Sequence, residues 1–168
     1  MDDISKVLIA MIAYDAGDAR RTNHFLKVFG LAKAIGAGEG LDSPTRTILE
    51  IAALVHDIGI KNSEKKYQSA SGYYQQLEGP PEAKNLLQSL GVAEGIIERV
   101  CWLVGHHHTY TDIAGQDYQI LVEADFLVNI YEDAMPEDAV RQIRQKLFKT
   151  RTGIQILQDM YFNGEQMG

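Results

Sequence analysis

The sequence contains few cysteines and prolines, and each shortage excludes a class of protein. One cysteine, Cys101, stands among 168 residues, so an intrachain disulfide and a cysteine-rich zinc site are both excluded. Only 4 prolines occur beside 15 glycines, and 45% of the residues are apolar. This composition is typical of a folded globular protein and excludes disordered and collagen-like chains. The length predicts one domain with one hydrophobic core.

Basic residues are also scarce, with 16 Lys and Arg against 23 Asp and Glu and a net charge of −7. Proteins that bind duplex nucleic acid through its phosphates carry a clustered basic surface, so we expect no generic nucleic-acid binding. A small anionic substrate is still compatible with this charge, because one bound cation can reverse the local field. Nothing in the sequence indicates the oligomeric state.

Long apolar runs are lacking as well. A membrane-spanning helix needs about 18 or more consecutive apolar residues, and no such run occurs. The chain begins Met1-Asp2-Asp3-Ile4, without the basic start and apolar stretch of a signal peptide. We therefore expect a cytoplasmic protein that does not enter a membrane.

Apolar residues recur at helical spacing, and the alternation that marks strands is lacking over any useful length. Asp18 is predicted to cap the second helix, and Ser43 the third, with Pro44 at its first position. Ser63 is predicted to cap the fourth, and Pro80-Pro81 to separate it from the fifth. The predicted helices cover about 3–14, 19–35, 44–57, 64–77, 80–91, 92–104, 118–133 and 137–149, and a last one begins near 152. We predict an all-α fold of seven to nine helices in a single domain over residues 1–168.

Two histidines and two aspartates fall where the helices are otherwise apolar. His24 shares a face with the apolar residues 28, 31 and 35, and Asp125 shares one with 121 and 128. His56 and Asp57 end the most apolar helix of the chain. Burying an ionised carboxylate without a partner is costly, and one shared cation would explain all four positions. Imidazole and carboxylate together suit Mn, Fe, Co, Ni or Zn, and Mg is also compatible.

Each of these residues, taken alone, has a simpler interpretation. A histidine on an apolar face is more often a hydrogen-bonded core residue than a metal ligand. Asp57 would then pair with Lys61, and Asp125 with His24 or an arginine. The combination, with a His-Asp pair closing a buried helix, favours a metal site.

The order of these residues resembles the histidine–aspartate (HD) domain superfamily of metal-dependent phosphohydrolases. The matching segments are Arg21-Thr22-Asn23-His24, Leu54-Val55-His56-Asp57-Ile58-Gly59, Gly105-His106-His107 and Glu123-Ala124-Asp125. The resemblance covers about residues 20–133, and the flanking helices are expected to cover the core. It implies an all-α bundle in which His24, His56, Asp57 and Asp125 hold a divalent ion. It also implies hydrolysis of a phosphate ester of a small metabolite, often a nucleotide.

Some members of that superfamily hold two metals, using further histidines after the His-Asp pair. His106 and His107 match the later pair, whereas Gln68 stands where such members carry a histidine. The resemblance therefore implies one tightly held ion, with His106 and His107 lining the pocket or holding a weak second ion. The alternative for these two histidines is a solvated helix end.

Three residues are candidates for contact with the reacting groups. Asp57 would ligate the ion and orient the attacking water. Arg21 would bind a phosphate through its planar fork, and Lys61 would meet a phosphate oxygen. The alternatives are a surface arginine and a solvated loop lysine.

Two other functions are compatible with the fold that the resemblance implies. One is a di-iron oxygenase, which the glutamine at position 68 disfavours. The other is an inactive sensor or interaction module, which the intact set of His24, His56, Asp57 and Asp125 disfavours.

Overall fold

Helices make up the regular structure of the computed structural model, which describes residues 1–162. The described residues form nine helices and no strand, which confirms the all-α prediction. The helices are α1 (Asp3–Tyr14), α2 (Ala19–Gly38), α3 (Ser43–Val55), α4 (Ile60–Tyr67), α5 (Gly72–Ser89), α6 (Glu94–Val104), α7 (Gln116–Glu132), α8 (Glu137–Leu147) and α9 (Arg151–Tyr161). None of these nine has the length and apolar character that a membrane span requires.

Helix α3 is the centre of the core. Residues 49–55 are all buried, and the helix packs against α1, α2, α6 and α7. Its N-terminus is capped by Asp42, whose Oδ1 accepts a hydrogen bond from the Thr45 backbone N–H at 2.8 Å, so the prediction of Ser43 was wrong by one residue. Helix α3 ends at Val55, and it therefore delivers His56 and Asp57 into the middle of the molecule.

Helices α2 and α7 pack against α3 and against each other. They carry His24 and Asp125 on the faces that meet there. Helix α2 begins as predicted, with the Asp18 carboxylate accepting from the Arg21 backbone N–H. It runs three residues beyond the predicted end because Gly36 does not end it: a Cβ there would lie 3.1 Å from Leu49 Cδ2. The glycine instead lets α2 approach α3 closely.

The segment from residue 60 to residue 89 differs from the prediction of two helices over about 64–77 and 80–91. Helix α4 ends at Tyr67, where Gln68 adopts a left-handed conformation with φ 54°. Ser63 lies inside α4 and does not cap it, since its hydroxyl donates to the Gly59 carbonyl.

Helix α5 then continues through Pro80 and Pro81, where a break was predicted. Packing holds it together at this point. A Cβ on Gly79 would lie 2.6 Å from Val104 Cγ1, and one on Gly59 would lie 2.6 Å from the Gln75 carbonyl oxygen. These two glycines let α5 lie directly against the turn that carries His56 and Asp57.

Glu123 joins α7 to the start of α9. Its fully buried carboxylate accepts from the backbone N–H groups of Lys149 at 2.7 Å and Thr150 at 2.9 Å, and from the Thr150 hydroxyl. This buried charge is therefore satisfied within the fold. It also fixes α7 two residues before Asp125.

Candidate metal centre

Four side chains from three parts of the chain converge at the junction of α2, α3 and α7. The Nε2 atoms of His24 and His56 lie 3.2 Å apart. Asp125 Oδ1 lies 3.3 Å from His24 Nε2 and 3.6 Å from His56 Nε2. Asp57 Oδ2 lies 3.4 Å and 3.5 Å from the same two nitrogens. The structure thus brings together all four residues that the resemblance implies as metal ligands.

The second nitrogen of each histidine is already engaged. His56 Nδ1 lies 2.9 Å from the Ala53 carbonyl, and His107 Nδ1 lies 2.7 Å from the Val104 carbonyl. His24 Nδ1 lies 2.8 Å from a carboxylate oxygen of Glu132. All three partners are acceptors, so Nδ1 carries the proton. In the neutral ring, each Nε2 then presents a lone pair to the cluster.

The cluster therefore contains an excess of acceptors. Asp125 Oδ1 and His107 Nε2 are buried and have no hydrogen-bond partner among the described residues. Two facing Nε2 lone pairs and two carboxylates repel one another unless a cation or added protons lie between them. This donor set fits a divalent transition metal.

A second group of ligand atoms shares Asp57 with the first. His107 Nε2 lies 3.4 Å from Asp57 Oδ1, the oxygen that does not take part in the first group. Asp57, His107 and His108 each offer a ligand atom within 4.8 Å of the others. His108 is held by Gln75, whose Oε1 lies 3.0 Å from His108 Nε2, and by close approach of Gly72, where a Cβ would lie 2.7 Å from the ring.

Charge within the cluster shifts the acid–base behaviour of its members. Burial lowers the pKa of His56, but the carboxylates of Asp57 and Asp125 outweigh it and raise that pKa to about 9. Burial raises the pKa of Asp125, but the neighbouring imidazoles of His24 and His56 outweigh it and hold that pKa well below its usual range. Burial and the neighbouring His107 lower the pKa of His108 to about 4. In the metal-free protein, protons on histidine therefore balance the two carboxylates.

Two predicted site residues lie away from this cluster. The His106 ring stacks on Trp102, with 4.1 Å between centroids, and its Nδ1 lies 2.6 Å from the Trp102 carbonyl. The Lys61 ammonium donates to the Tyr14 carbonyl and lies over the Tyr14 ring. The structure therefore places His107 and His108, and not His106, beside Asp57. Lys61 contacts α1 instead of the cluster.

Gln68, which stands in the sequence where two-metal members carry a histidine, also lies away from the cluster. Gln68 is exposed at the end of α4, whereas Gln75 on α5 is the glutamine that contacts His108. A change at Gln68 therefore does not bear on the second group of ligand atoms in this fold.

The cluster forms part of the wall of an open cavity of about 510 Å³. Arg21 lines this cavity, as do Arg20 and Asn129. The Arg21 guanidinium lies 2.6 Å from Glu64 and 3.3 Å from Asp18, so its fork is already occupied by carboxylates. Six lining residues carry carboxylates: Asp18, Asp57, Glu64, Asp125, Glu132 and Asp133.

Glu132 and Asn129 were not among the predicted site residues, although the sequence carries a signal for both. They follow Asp125 at positions i+7 and i+4, so all three lie on one face of α7. Once Asp125 is placed inward, this spacing brings Asn129 and Glu132 to the same cavity. His108 had no comparable signal, because it lies in the turn after α6.

Comparisons with known proteins found one family model and a solved structure that match this chain. The family model for the HD domain matches residues 21–148. The fold is similar to the crystal structure of a predicted HD superfamily hydrolase from an uncultured Thermotogales bacterium, with a TM-score of 0.67 and 23% sequence identity. That likeness covers 95% of this chain and 85% of the other. No match was found among curated proteins. With a match over most of its length, the chain belongs to the HD-domain family.

Proposed function

We propose that this protein is a metal-dependent phosphohydrolase that cleaves a phosphate ester of a small metabolite. The observation that carries the proposal is the convergence of His24, His56, Asp57 and Asp125 on one point in the wall of an open cavity. Membership of the HD-domain family supports it. The structural relative is itself described as a predicted hydrolase.

His24, His56, Asp57 and Asp125 would hold one ion tightly, and Asp57, His107 and His108 would hold a second one weakly. A bound divalent ion supplies charge neutralisation at a phosphate group and acidifies a water molecule. The second group would bind more weakly because its one carboxylate, Asp57, is shared with the first group, which also contains Asp125. This proposal replaces the expected pair of His106 and His107 by His107 and His108.

Asp57 has the central position in this scheme. One of its oxygens faces His24 and His56 and the other faces His107. Its side chain is 26% exposed, against 6% for Asp125, so it is the more accessible of the two cluster carboxylates that line the cavity. It can therefore accept a hydrogen bond from a water molecule between the two groups and orient it toward a phosphorus atom.

The test is hydrolysis of p-nitrophenyl phosphate and its bis-ester by protein stripped of metal and reloaded with Mn, Co, Ni or Mg. We expect turnover that depends on the added metal and is lost in His56→Ala. His106→Ala is the matched control, because it removes a histidine of the same region that lies outside the cluster. Metal binding without any hydrolysis would favour an inactive module, and bound iron with oxygen consumption would favour an oxygenase.

A further inference from the structure

The cavity beside the cluster has a polar wall with little cationic charge outside the cluster. We propose that the substrate is the monophosphate of a hydrophilic, non-aromatic alcohol, such as a sugar or polyol, and not a nucleotide. This inference rests on the proposed phosphohydrolase function and narrows its substrate. It follows from the charges and the side chains of the cavity wall.

The two guanidinium groups of the wall differ in their ion pairs. Arg21 is paired with Glu64 and Asp18. Lys27, which does not line the cavity, lies 2.5 Å from the wall residue Glu132. Arg20 is the other guanidinium on the cavity, and within residues 1–162 it makes no ion pair. Outside the metal, the described wall therefore offers one uncommitted cation.

The anions of the wall act against a substrate with several phosphates. Asp133 lines the cavity and, within the described part of the chain, pairs with no cation. A single phosphate at the cluster would be neutralised by the ion and Arg20. The further phosphates of a nucleoside triphosphate would meet the remaining carboxylates of the wall, among which Asp133 has no matching cation, and such like-charge contacts are costly.

The wall also lacks a surface for a nucleobase. Among the lining residues of the cavity, Ile60 and Ala70 are apolar and none is a tyrosine, tryptophan or phenylalanine. Tyr67 and Tyr74 stack on each other at 4.1 Å, outside this lining. Sites that bind bases usually provide an aromatic or apolar face.

The wall instead offers groups that bind hydroxyls. Asn129 carries an amide and Asp133 a carboxylate, on the last turn of α7 and just beyond it. Such groups accept from and donate to the hydroxyls of a polyol, and they give a carbon chain or a flat ring little apolar contact.

The test compares four phosphate esters on the same metal-loaded protein: glycerol phosphate, a hexose monophosphate, adenosine monophosphate and adenosine triphosphate. We expect kcat/KM for one of the first two to exceed that for both nucleotides by about tenfold or more. Equilibrium binding of the same four compounds, measured by their effect on the thermal midpoint, should give the same order. The binding measurement does not depend on turnover.

Reversing the charge of a residue in the cavity wall tests whether the wall selects among substrates by their charge. Asp133→Lys should raise kcat/KM for adenosine triphosphate relative to the hexose monophosphate by about tenfold. Asp138→Lys is the matched control, since it makes the same change in net charge on an exposed position of α8 that does not line the cavity. Asp138→Lys should leave the ratio of the two kcat/KM values unchanged.

Each outcome decides a different point. Absence of hydrolysis with all metals and all esters would overturn the proposed function, and the binding order would then decide the narrower inference. Hydrolysis or binding that favours either nucleotide would overturn the narrower inference and leave the phosphohydrolase intact. Equal effects of Asp133→Lys and Asp138→Lys would show that the wall does not select by charge.

Discussion

At the scale of single residues, Glu132 distinguishes His24 from the other two histidines whose Nε2 atoms face the cluster. His56 and His107 are oriented by backbone carbonyls within their own turns, whereas His24 is oriented by a carboxylate. Lys27 holds the other oxygen of that carboxylate. A charged acceptor fixes the ring and makes its free nitrogen a stronger ligand.

Replacing Glu132 should therefore weaken metal binding. We expect Glu132→Ala to raise the dissociation constant for Co²⁺ by about 10- to 100-fold, measured by the absorption of the bound ion. Glu132→Gln keeps an acceptor oxygen and should therefore lose less affinity for Co²⁺ than Glu132→Ala. Glu137→Ala removes an exposed glutamate of α8 and should bind Co²⁺ like the unmodified protein. Equal binding by all three variants would rule out a role for Glu132 in orienting His24.

Replacing Asp125 tests whether the cluster binds a metal ion. Its Oδ1 is buried and lacks a hydrogen-bond partner in the described structure, so the side chain contributes little to packing and much to a bound cation. Asp125→Ala should lose both bound metal and phosphatase turnover while its far-ultraviolet circular dichroism stays helical. Asp159→Ala, an exposed aspartate of α9, is the control. Turnover equal to that of the unmodified protein at saturating metal would exclude Asp125 as a ligand.

Three adjacent histidines, His106, His107 and His108, could not be placed correctly from the sequence alone. His24 and Asp125 lie inside helices, so their apolar neighbours predict that they face inward. His106, His107 and His108 follow the end of α6 at Val104, where helical periodicity no longer applies. Which of them faces Asp57 depends on the turn and on its packing against Gly72 and Gln75. That packing is not encoded in the local spacing.

At the scale of elements, the pattern of apolar residues predicts both that a segment is helical and how deeply the helix is buried. Helix α3 is apolar on most sides and lies in the centre, as its sequence predicts. The boundary between α4 and α5 is different, because prolines favour a break at Pro80 and the structure continues the helix there. Tertiary contact of Gly79 with Val104 and Gly59 overrides that local preference.

Gly59 should be sensitive to a single methyl group. A Cβ there would lie 2.6 Å from one backbone atom and 2.7 Å from another, both of which belong to α5. We expect Gly59→Ala to lower the free energy of unfolding by about 1–3 kcal/mol, measured with urea. Gly95→Ala is the control, since nothing lies within 4 Å of a Cβ there. A Gly59→Ala protein as stable as the control would show that α5 can move away from the turn.

At the scale of the whole molecule, the cluster links the folding of the bundle to protons and metal. His24, His56 and Asp125 come from α2, the end of α3 and α7, the three helices that pack together around the core. Whatever neutralises their charges therefore holds these helices together. Protons do so in the metal-free protein, and a divalent ion would do so in the loaded protein.

These two modes of neutralisation depend on pH with opposite signs. The pKa of His56 is raised from 6.5 to about 9 on folding, so its proton stabilises the metal-free fold fully below about pH 6.5. That contribution is lost as the pH rises through about 9. A metal must displace this proton, so its affinity rises over the same interval.

The stabilisation that metal provides should consequently grow with pH. A ligand that binds only the folded state raises the thermal midpoint in proportion to the logarithm of its concentration over its dissociation constant. We expect the difference in midpoint between Mn²⁺-loaded and chelator-treated protein to increase from about pH 6.5 to about pH 9. His106→Ala should retain this increase because it lies outside the cluster, and His56→Ala should abolish it. A difference that stays constant or shrinks in the unmodified protein would mean that His56 does not exchange its proton for the metal.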